Sequence, residues 1–189
     1  FEIVRQGYLY ERPLRERHRI VFYIGHLEAF DFSLFRNHLP GLESFAPQWD
    51  HLFAFGIDPV HGNLPADEPT DWPTIEEIQG YRFQVRSNLD SALELHSCPE
   101  AVLQMSIEHR FMHAETLSYM LHQLPRQQKH VRPQPPAPDL GVPSHAAVLI
   151  PAGTARLGQK SSAPFGWDNE FGEHSVEVPA FHISRYKVT

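Results

Sequence analysis

Residues 107–124 contain neither Gly nor Pro, and their apolar side chains recur every three or four positions up to Pro125. This pattern predicts one helix that ends at Pro125. His109 and His113 lie four residues apart in it, so their imidazoles share one face of the helix. That spacing lets two neutral histidines bind one metal ion. The alternative is that both are ordinary helix residues, because a chain with 13 His can contain such a pair by chance.

A third histidine lies in another predicted helix. Residues 17–38 carry apolar side chains at helical intervals, and His26 lies among them with Phe22 and Phe30 on its face. Gly25 beside it leaves room for a close neighbour. A histidine in such surroundings needs either a hydrogen bond in the core or a metal ion. The pair in the other helix favours the metal.

Two further helices are predicted between these. Residues 40–73 contain six Pro and allow one short helix around residues 49–55. Thr74 and Glu77 have the capping-box spacing that opens a third helix. We interpret its charged residues as a solvated face: Arg82, Arg86, Asp90 and Glu94. Pro99 opens the helix with the histidine pair. Four helices with one long connection predict a bundle, which commonly holds metals between facing helices.

Three histidines in such a bundle would leave a bound metal with its full positive charge and with open positions. Iron would then bind a thiolate and dioxygen, and zinc would hold a water molecule. The residues alone leave both metals open.

The composition changes after Pro125. Residues 127–144 are rich in Pro and poor in apolar side chains, which predicts a stiff linker or a strap. Residues 147–158, 174–181 and 183–188 have the patterns of short strands. So short a β segment with unpaired edges does not make a stable domain. Because the chain also starts without Met, we expect it to be a fragment of a longer protein.

Composition excludes several classes of function. A formal charge of −7 argues against nucleic acid as a partner, because phosphate binding needs a basic face. No apolar run is long enough to span a membrane, and no signal peptide opens the chain. Cys98 is the single cysteine, which excludes an internal disulfide and a cysteine-cluster metal site. We expect a cytoplasmic protein without nucleic-acid or membrane partners.

Several motifs resemble a known family. FYIGHLEAF (residues 22–30), HRFMHAETL (109–117), IPAGT (150–154) and FGWDNE (165–170) are similar to the nonheme iron sulfoxide synthases of ergothioneine and ovothiol biosynthesis. The resemblance spans almost the whole chain. It implies an α+β fold, with a DinB-like four-helix bundle (1–126), a Pro-rich linker (127–145) and the incomplete start of a C-type-lectin-like domain of the formylglycine-generating-enzyme superfamily (146–189).

The resemblance also implies chemistry. It places Fe(2+) on His26, His109 and His113, with Glu115 in contact with a ligand rather than with the metal. The family joins a thiol to the imidazole of a histidine derivative, typically hercynine, and oxidises the sulfur with O2. The family's catalytic residues are expected beyond Thr189, so we expect this chain to bind metal without turnover.

The thiol and the assembly stay open. The resemblance implies that family members which use γ-glutamylcysteine have arginines in the loop after the second helix. The corresponding residues 57–72 of this chain contain four acidic residues and no Arg. Cysteine is the alternative thiol, and histidine is the alternative to hercynine. The sequence does not indicate an oligomeric state.

Two other classes of function remain. One is a DinB-like protein that uses zinc or another divalent metal for thiol transfer or hydrolysis. The other is a non-catalytic binding module in which the histidines are core residues.

Overall fold

The computed structural model has an α+β fold and divides into two compact units, Phe1–Arg132 and Pro133–Thr189. In the part of the chain that it describes, no helix is both long and apolar enough to cross a membrane. The described residues are 1–56 (without the side chain of Phe55), 63–131, 133, 135–136, 138–139, 141 and 144–188.

All four predicted helices are present, with ends that differ from the predicted ones by a few residues. They are α1 (Ile20–Arg36), α2 (Pro47–Phe55), α3 (Ile75–Leu95) and α4 (Glu100–Gln123). Helix α1 packs against the other three. It can do so because its apolar residues surround the helix instead of forming one stripe, which is typical of a buried helix. Most of the core of the first unit therefore forms around α1.

Gly25 allows the close approach of α1 and α2. A Cβ atom at this position would lie 2.4 Å from the ring of Phe53, which is itself fully buried. The predicted room for a close neighbour is confirmed, and the neighbour is Phe53.

The segment before α1 is tied to the segment before α3 through Asp67. Its side chain accepts hydrogen bonds from Arg19 Nε at 2.9 Å and from the indole of Trp72 at 2.8 Å, and it also pairs with Arg12. Asp67 is only 7% exposed. These donors lower the pKa of the Asp67 carboxyl, although burial alone would raise it. One of the acidic residues in the loop after α2 thus has a structural role, and residues 57–62 of that loop lie outside the described residues.

The start of α3 confirms the predicted capping box. The Thr74 hydroxyl accepts a hydrogen bond from the Glu77 backbone N–H at 3.3 Å, and the Glu77 carboxylate accepts one from the Thr74 backbone N–H at 2.8 Å. The assignment of four charged residues of α3 to a solvated face is wrong for Arg82 and Arg86, whereas Asp90 and Glu94 are exposed. Both guanidinium groups pair with the buried carboxylate of Glu28 on α1, which a charge pattern along α3 alone does not reveal.

The chain after α4 begins with a single turn at Arg126–Gln128. Lys129 then forms an isolated bridge with Val4, and the His130 backbone N–H donates to the carbonyl of Ile3 at 2.7 Å. The described residues between 131 and 146 have no regular secondary structure, in agreement with their Pro-rich composition.

The second unit contains four short strands in two antiparallel pairs. They are β1 (Ala147–Ile150), β2 (Gly153–Leu157), β3 (His174–Val178) and β4 (Phe181–Ser184), and β1 pairs with β4 while β2 pairs with β3. The last strand thus begins before the predicted 183–188 segment and ends earlier. Most strand residues are exposed, so neither pair has a buried face. Trp167 packs edge-on against Phe165, in agreement with an aromatic anchor in this loop.

Candidate metal centre

Three histidines from two helices converge in the first unit. His26 lies on α1, and His109 and His113 lie one turn apart on α4. The Nε2 atoms of His26 and His109 are 3.2 Å apart, and each lies 3.0 Å from Nε2 of His113. Among the described residues, these three form the one cluster of His, Cys, Asp or Glu side chains that could hold a metal ion.

The tautomer of His26 is fixed by a backbone carbonyl. Its Nδ1 lies 2.6 Å from the carbonyl oxygen of Phe53, so Nδ1 carries the proton and donates. In the neutral ring, Nε2 therefore presents a bare lone pair to the other two histidines. A carbonyl partner of this kind is typical of histidines that bind metals through the opposite nitrogen.

Hydrogen bonding alone does not satisfy the three Nε2 atoms. In a neutral ring each of them carries either a hydrogen or a lone pair, so at least two of the three are alike. At least one contact of about 3 Å must then join two hydrogens or two lone pairs, which is repulsive. A cation at the centre removes this repulsion, because all three nitrogens can then present lone pairs.

The distances also fit a metal. Metal–nitrogen bonds of about 2.1 Å at angles between 90° and 110° place the nitrogens roughly 3.0–3.4 Å apart. The observed separations of 3.0–3.2 Å lie within that range. The three residues present therefore fit a divalent metal on one side of its coordination sphere.

Burial keeps the three imidazoles neutral. It lowers the pKa of His26, and together with the neighbouring imidazoles it lowers the pKa of His109 to about 3 and that of His113 to about 4. At neutral pH, protons therefore do not compete with a metal for the lone pairs.

Aromatic rings hold the imidazoles in place. Phe30 stacks on His109 with ring centroids 3.5 Å apart and an angle of 13° between the planes. Phe22 stacks on His26 at 4.6 Å, and Tyr23 lies 5.5 Å from His113. These rings restrict the rotation of the imidazoles.

Glu115, the fourth predicted site residue, lies apart from the shared face of His109 and His113. It is exposed, and its backbone carbonyl accepts a hydrogen bond from Ser118. Its role beside a metal ligand stays a prediction.

The sequence did not reveal a set of charged residues beside the histidines. Asp31 and Glu28 on α1 are 1% and 6% exposed, and Arg110 on α4 pairs with both. A signal was present, because two carboxylates within a helix that is otherwise apolar need cationic partners. The sequence did not show which arginines would provide them.

Fold and site together define the class: an α+β protein with a three-histidine candidate metal centre between two helices. A comparison with models of known protein families gives no match. Two characterised proteins are similar to the chain. Ergothioneine biosynthesis protein 1 of Neurospora crassa is 28% identical over all of this chain and 24% of its own length. Hercynine oxygenase of Mycolicibacterium smegmatis is 30% identical over 79% of this chain and 34% of its own length.

The similarity to an ergothioneine biosynthesis protein and to a hercynine oxygenase confirms the resemblance identified in the sequence. It spans about a quarter of the length of the first relative and about a third of the second.

Proposed function

We propose that this chain provides the metal-binding part of an iron(II)- and O2-dependent sulfoxide synthase that joins a thiol to the imidazole of hercynine or histidine. The main support is the convergence of three neutral imidazole nitrogens within 3.2 Å in a chain whose relatives include a hercynine oxygenase. In this proposal, residues 1–126 form a DinB-like four-helix bundle, and residues 127–145 link it to a formylglycine-generating-enzyme-type segment at 146–189.

His26, His109 and His113 would hold the metal through Nε2. Because they bring no negative charge, a bound Fe(2+) would keep its positive charge and supply Lewis acidity, redox chemistry and open positions for the substrates. The thiol is cysteine or γ-glutamylcysteine, and the thiolate is the form that such a cation favours. The chain's own residues fix the donors: Phe53 holds the proton of His26 on Nδ1, and Phe30 restrains the ring of His109. We assign Glu115 a supporting role outside the set of ligands.

Metal uptake tests the site directly. We expect the chain to take up one Fe(2+) or Co(2+) under anaerobic conditions, measured by equilibrium dialysis with elemental analysis. His113→Ala should lower the affinity at least about 100-fold, because it removes one of three donors. His122→Ala is the matched control, since His122 is exposed on the same helix. Equal uptake by His113→Ala and the parent chain would indicate that the histidines are core residues of a non-catalytic module.

Thiol binding tests the substrate class. We expect cysteine or γ-glutamylcysteine added to the Co(2+)-loaded chain to produce a thiolate charge-transfer absorption in the near ultraviolet, and serine to produce none. The three-histidine donor set also suits zinc. A strong preference for Zn(2+) over Fe(2+), with no absorption change on addition of thiol, would favour a zinc hydrolase instead. Oxygen consumption by this chain with hercynine and thiol would contradict the expectation that it binds metal without turnover.

A further inference from the structure

The middle of α4 is attached to the first unit by polar contacts. The buried residues of α4 are Val102, Ser106, His109 and Met120. Between Val102 and Met120, the buried side chains are therefore a serine and a histidine, and Leu117 is partly buried against the core. Buried apolar side chains are sparse in the part of the helix that carries the metal-site histidines, so polar contacts add to the stacking of Phe30 on His109 there.

A set of charged and polar residues lies at that part of the helix. Asp31 on α1 accepts hydrogen bonds from Ser106 Oγ at 2.7 Å and from Arg110 Nη2 at 2.5 Å. Arg110 also donates to Glu28 at 3.0 Å, and Arg86 on α3 pairs with Glu28. We call these five residues, Glu28, Asp31, Arg86, Ser106 and Arg110, the acid–arginine cluster.

The cluster specifies one register of α4 on α1. Ser106 and Arg110 are one helical turn apart, and both contact the carboxylate of Asp31. A shift of α4 that breaks both contacts would leave the buried carboxylate of Asp31 with only its 3.4 Å contact to Arg86 on α3, which is unfavourable. The planar guanidinium of Arg110 reaches both carboxylates at once, whereas the single ammonium group of a lysine lacks that fork.

The same register sets the spacing of the metal-site nitrogens. Arg110 follows His109 directly, and Glu28 lies two residues after His26. Without a cation, at least one contact among the three imidazoles is repulsive, so before metal binding they do not by themselves fix the position of α4. The acid–arginine cluster is the polar contact that can.

We propose that the acid–arginine cluster positions α4 on α1 so that His26 meets His109 and His113 at metal-binding distance. Asp31 and Arg110 are its central members. They are positioning residues that touch neither metal nor substrate. This role rests on the proposed metal site and adds a determinant of its affinity that lies outside the ligands.

The chain contains a matched control for the cluster. Asp67 is also a buried carboxylate held by two arginines and one neutral donor, and it has no contact with α4 among the described residues. Asp31→Asn and Asp67→Asn therefore remove the same charge from equivalent surroundings, and both should lower the melting temperature of the metal-free chain. Arg110→Lys is a milder second variant that keeps the positive charge.

The experiment measures Co(2+) affinity by competition with a chelator, together with the visible absorption spectrum of the bound Co(2+). We expect Asp31→Asn and Arg110→Lys to weaken binding about 10- to 100-fold, the effect usual for groups that orient metal ligands, and to shift the spectrum. Asp67→Asn should leave affinity within about twofold and the spectrum unchanged. If Asp31→Asn does not fold, Arg110→Lys provides the decisive comparison.

The possible outcomes separate the two proposals. A parent chain that binds Co(2+), with cluster variants that match it in affinity and spectrum, overturns the positioning role alone. Equal weakening by Asp67→Asn and Asp31→Asn also overturns it, because the effect is then one of general stability. A parent chain that takes up no Co(2+) overturns the proposed metal site and the positioning role with it.

Discussion

At the scale of single residues, the geometry of the candidate metal site depends on groups outside the three histidines. The carbonyl of Phe53 decides which nitrogen of His26 is free, and Gly25 allows Phe53 to come close enough to do so. The orientation of the His26 ring is thus set by α2, a helix that carries none of the three histidines. We therefore expect substitution of Gly25 to affect metal binding as strongly as substitution of an aromatic ring that stacks on one of the imidazoles.

Gly25→Ala should destabilise the chain by about 1–3 kcal/mol, because the added methyl group overlaps the ring of Phe53 in a filled core. It should also weaken metal binding, since Phe53 carries the carbonyl that orients His26. Urea unfolding and Co(2+) titration measure the two effects. Gly80→Ala is the control: its Cβ meets nothing within 4 Å, and alanine favours a helix interior by up to about 1 kcal/mol. Similar stability of the two variants would contradict this account.

At the scale of elements, the helices differ in what holds them. Helix α3 begins with a complete capping box and buries a continuous stripe of apolar side chains against α1. Helix α4 starts at Glu100, has Pro99 at its N-cap without a side-chain cap, and has few buried apolar residues. Helix α3 is therefore stabilised by a local start signal and by apolar packing on α1, whereas α4 relies more on polar contacts with α1.

Thr74→Ala removes the cap of α3 and should lower the free energy of unfolding by about 1 kcal/mol, because the backbone N–H of Glu77 loses its acceptor. Chemical denaturation of the metal-free chain measures the loss. Thr116→Ala is the control. The hydroxyl that it removes donates to the carbonyl of Met112 within a helix, and such a bond adds little to helix stability. An equal loss in both variants would show that the cap contributes nothing specific.

At the scale of the whole molecule, the two units differ in how well they bury their residues. The first unit has a core around α1 and two buried sets of charged residues, one at Asp31 and one at Asp67. The second unit consists of two strand pairs with mostly exposed side chains. Stability of the chain should therefore reside in the first unit, and part of it should depend on pH through carboxylates that must stay ionised.

Asp67 gives that dependence a direction. Its pKa is lowered in the folded chain, so its contribution is complete above the pKa of the unfolded chain, near 4, and is lost as the pH falls through the lower folded value. Asp67→Asn should cost on the order of 3 kcal/mol at pH 7 and flatten the loss of stability below pH about 4. Urea unfolding from pH 7 to pH 3 tests both effects. Asp90→Asn, at an exposed position, is the control. If Asp67→Asn lost stability at acidic pH as steeply as the parent chain does, the proposed role of the Asp67 carboxylate would be contradicted.

Signals within one element were sufficient for much of the fold. The helical period of residues 17–38, the box at Thr74 and the proline at position 125 each act over a few residues, and each corresponds to an observed helix or cap. The partners of Arg86 and the end of β4 could not be read in this way. Both depend on residues far away in the chain: Glu28 for the arginine, and the antiparallel partner β1 for the strand.

The sequence by itself determined that His109 and His113 share one helix face, because helical periodicity is a local property. It also determined that His26 lies in an apolar helix. Only the tertiary structure decided that His26 meets the other two, since the contact joins residues that the sequence separates by most of the first unit. It also decided that Asp31 meets Ser106 and Arg110. The physical reason is that these contacts depend on how α4 packs on α1, and local periodicity does not encode that packing.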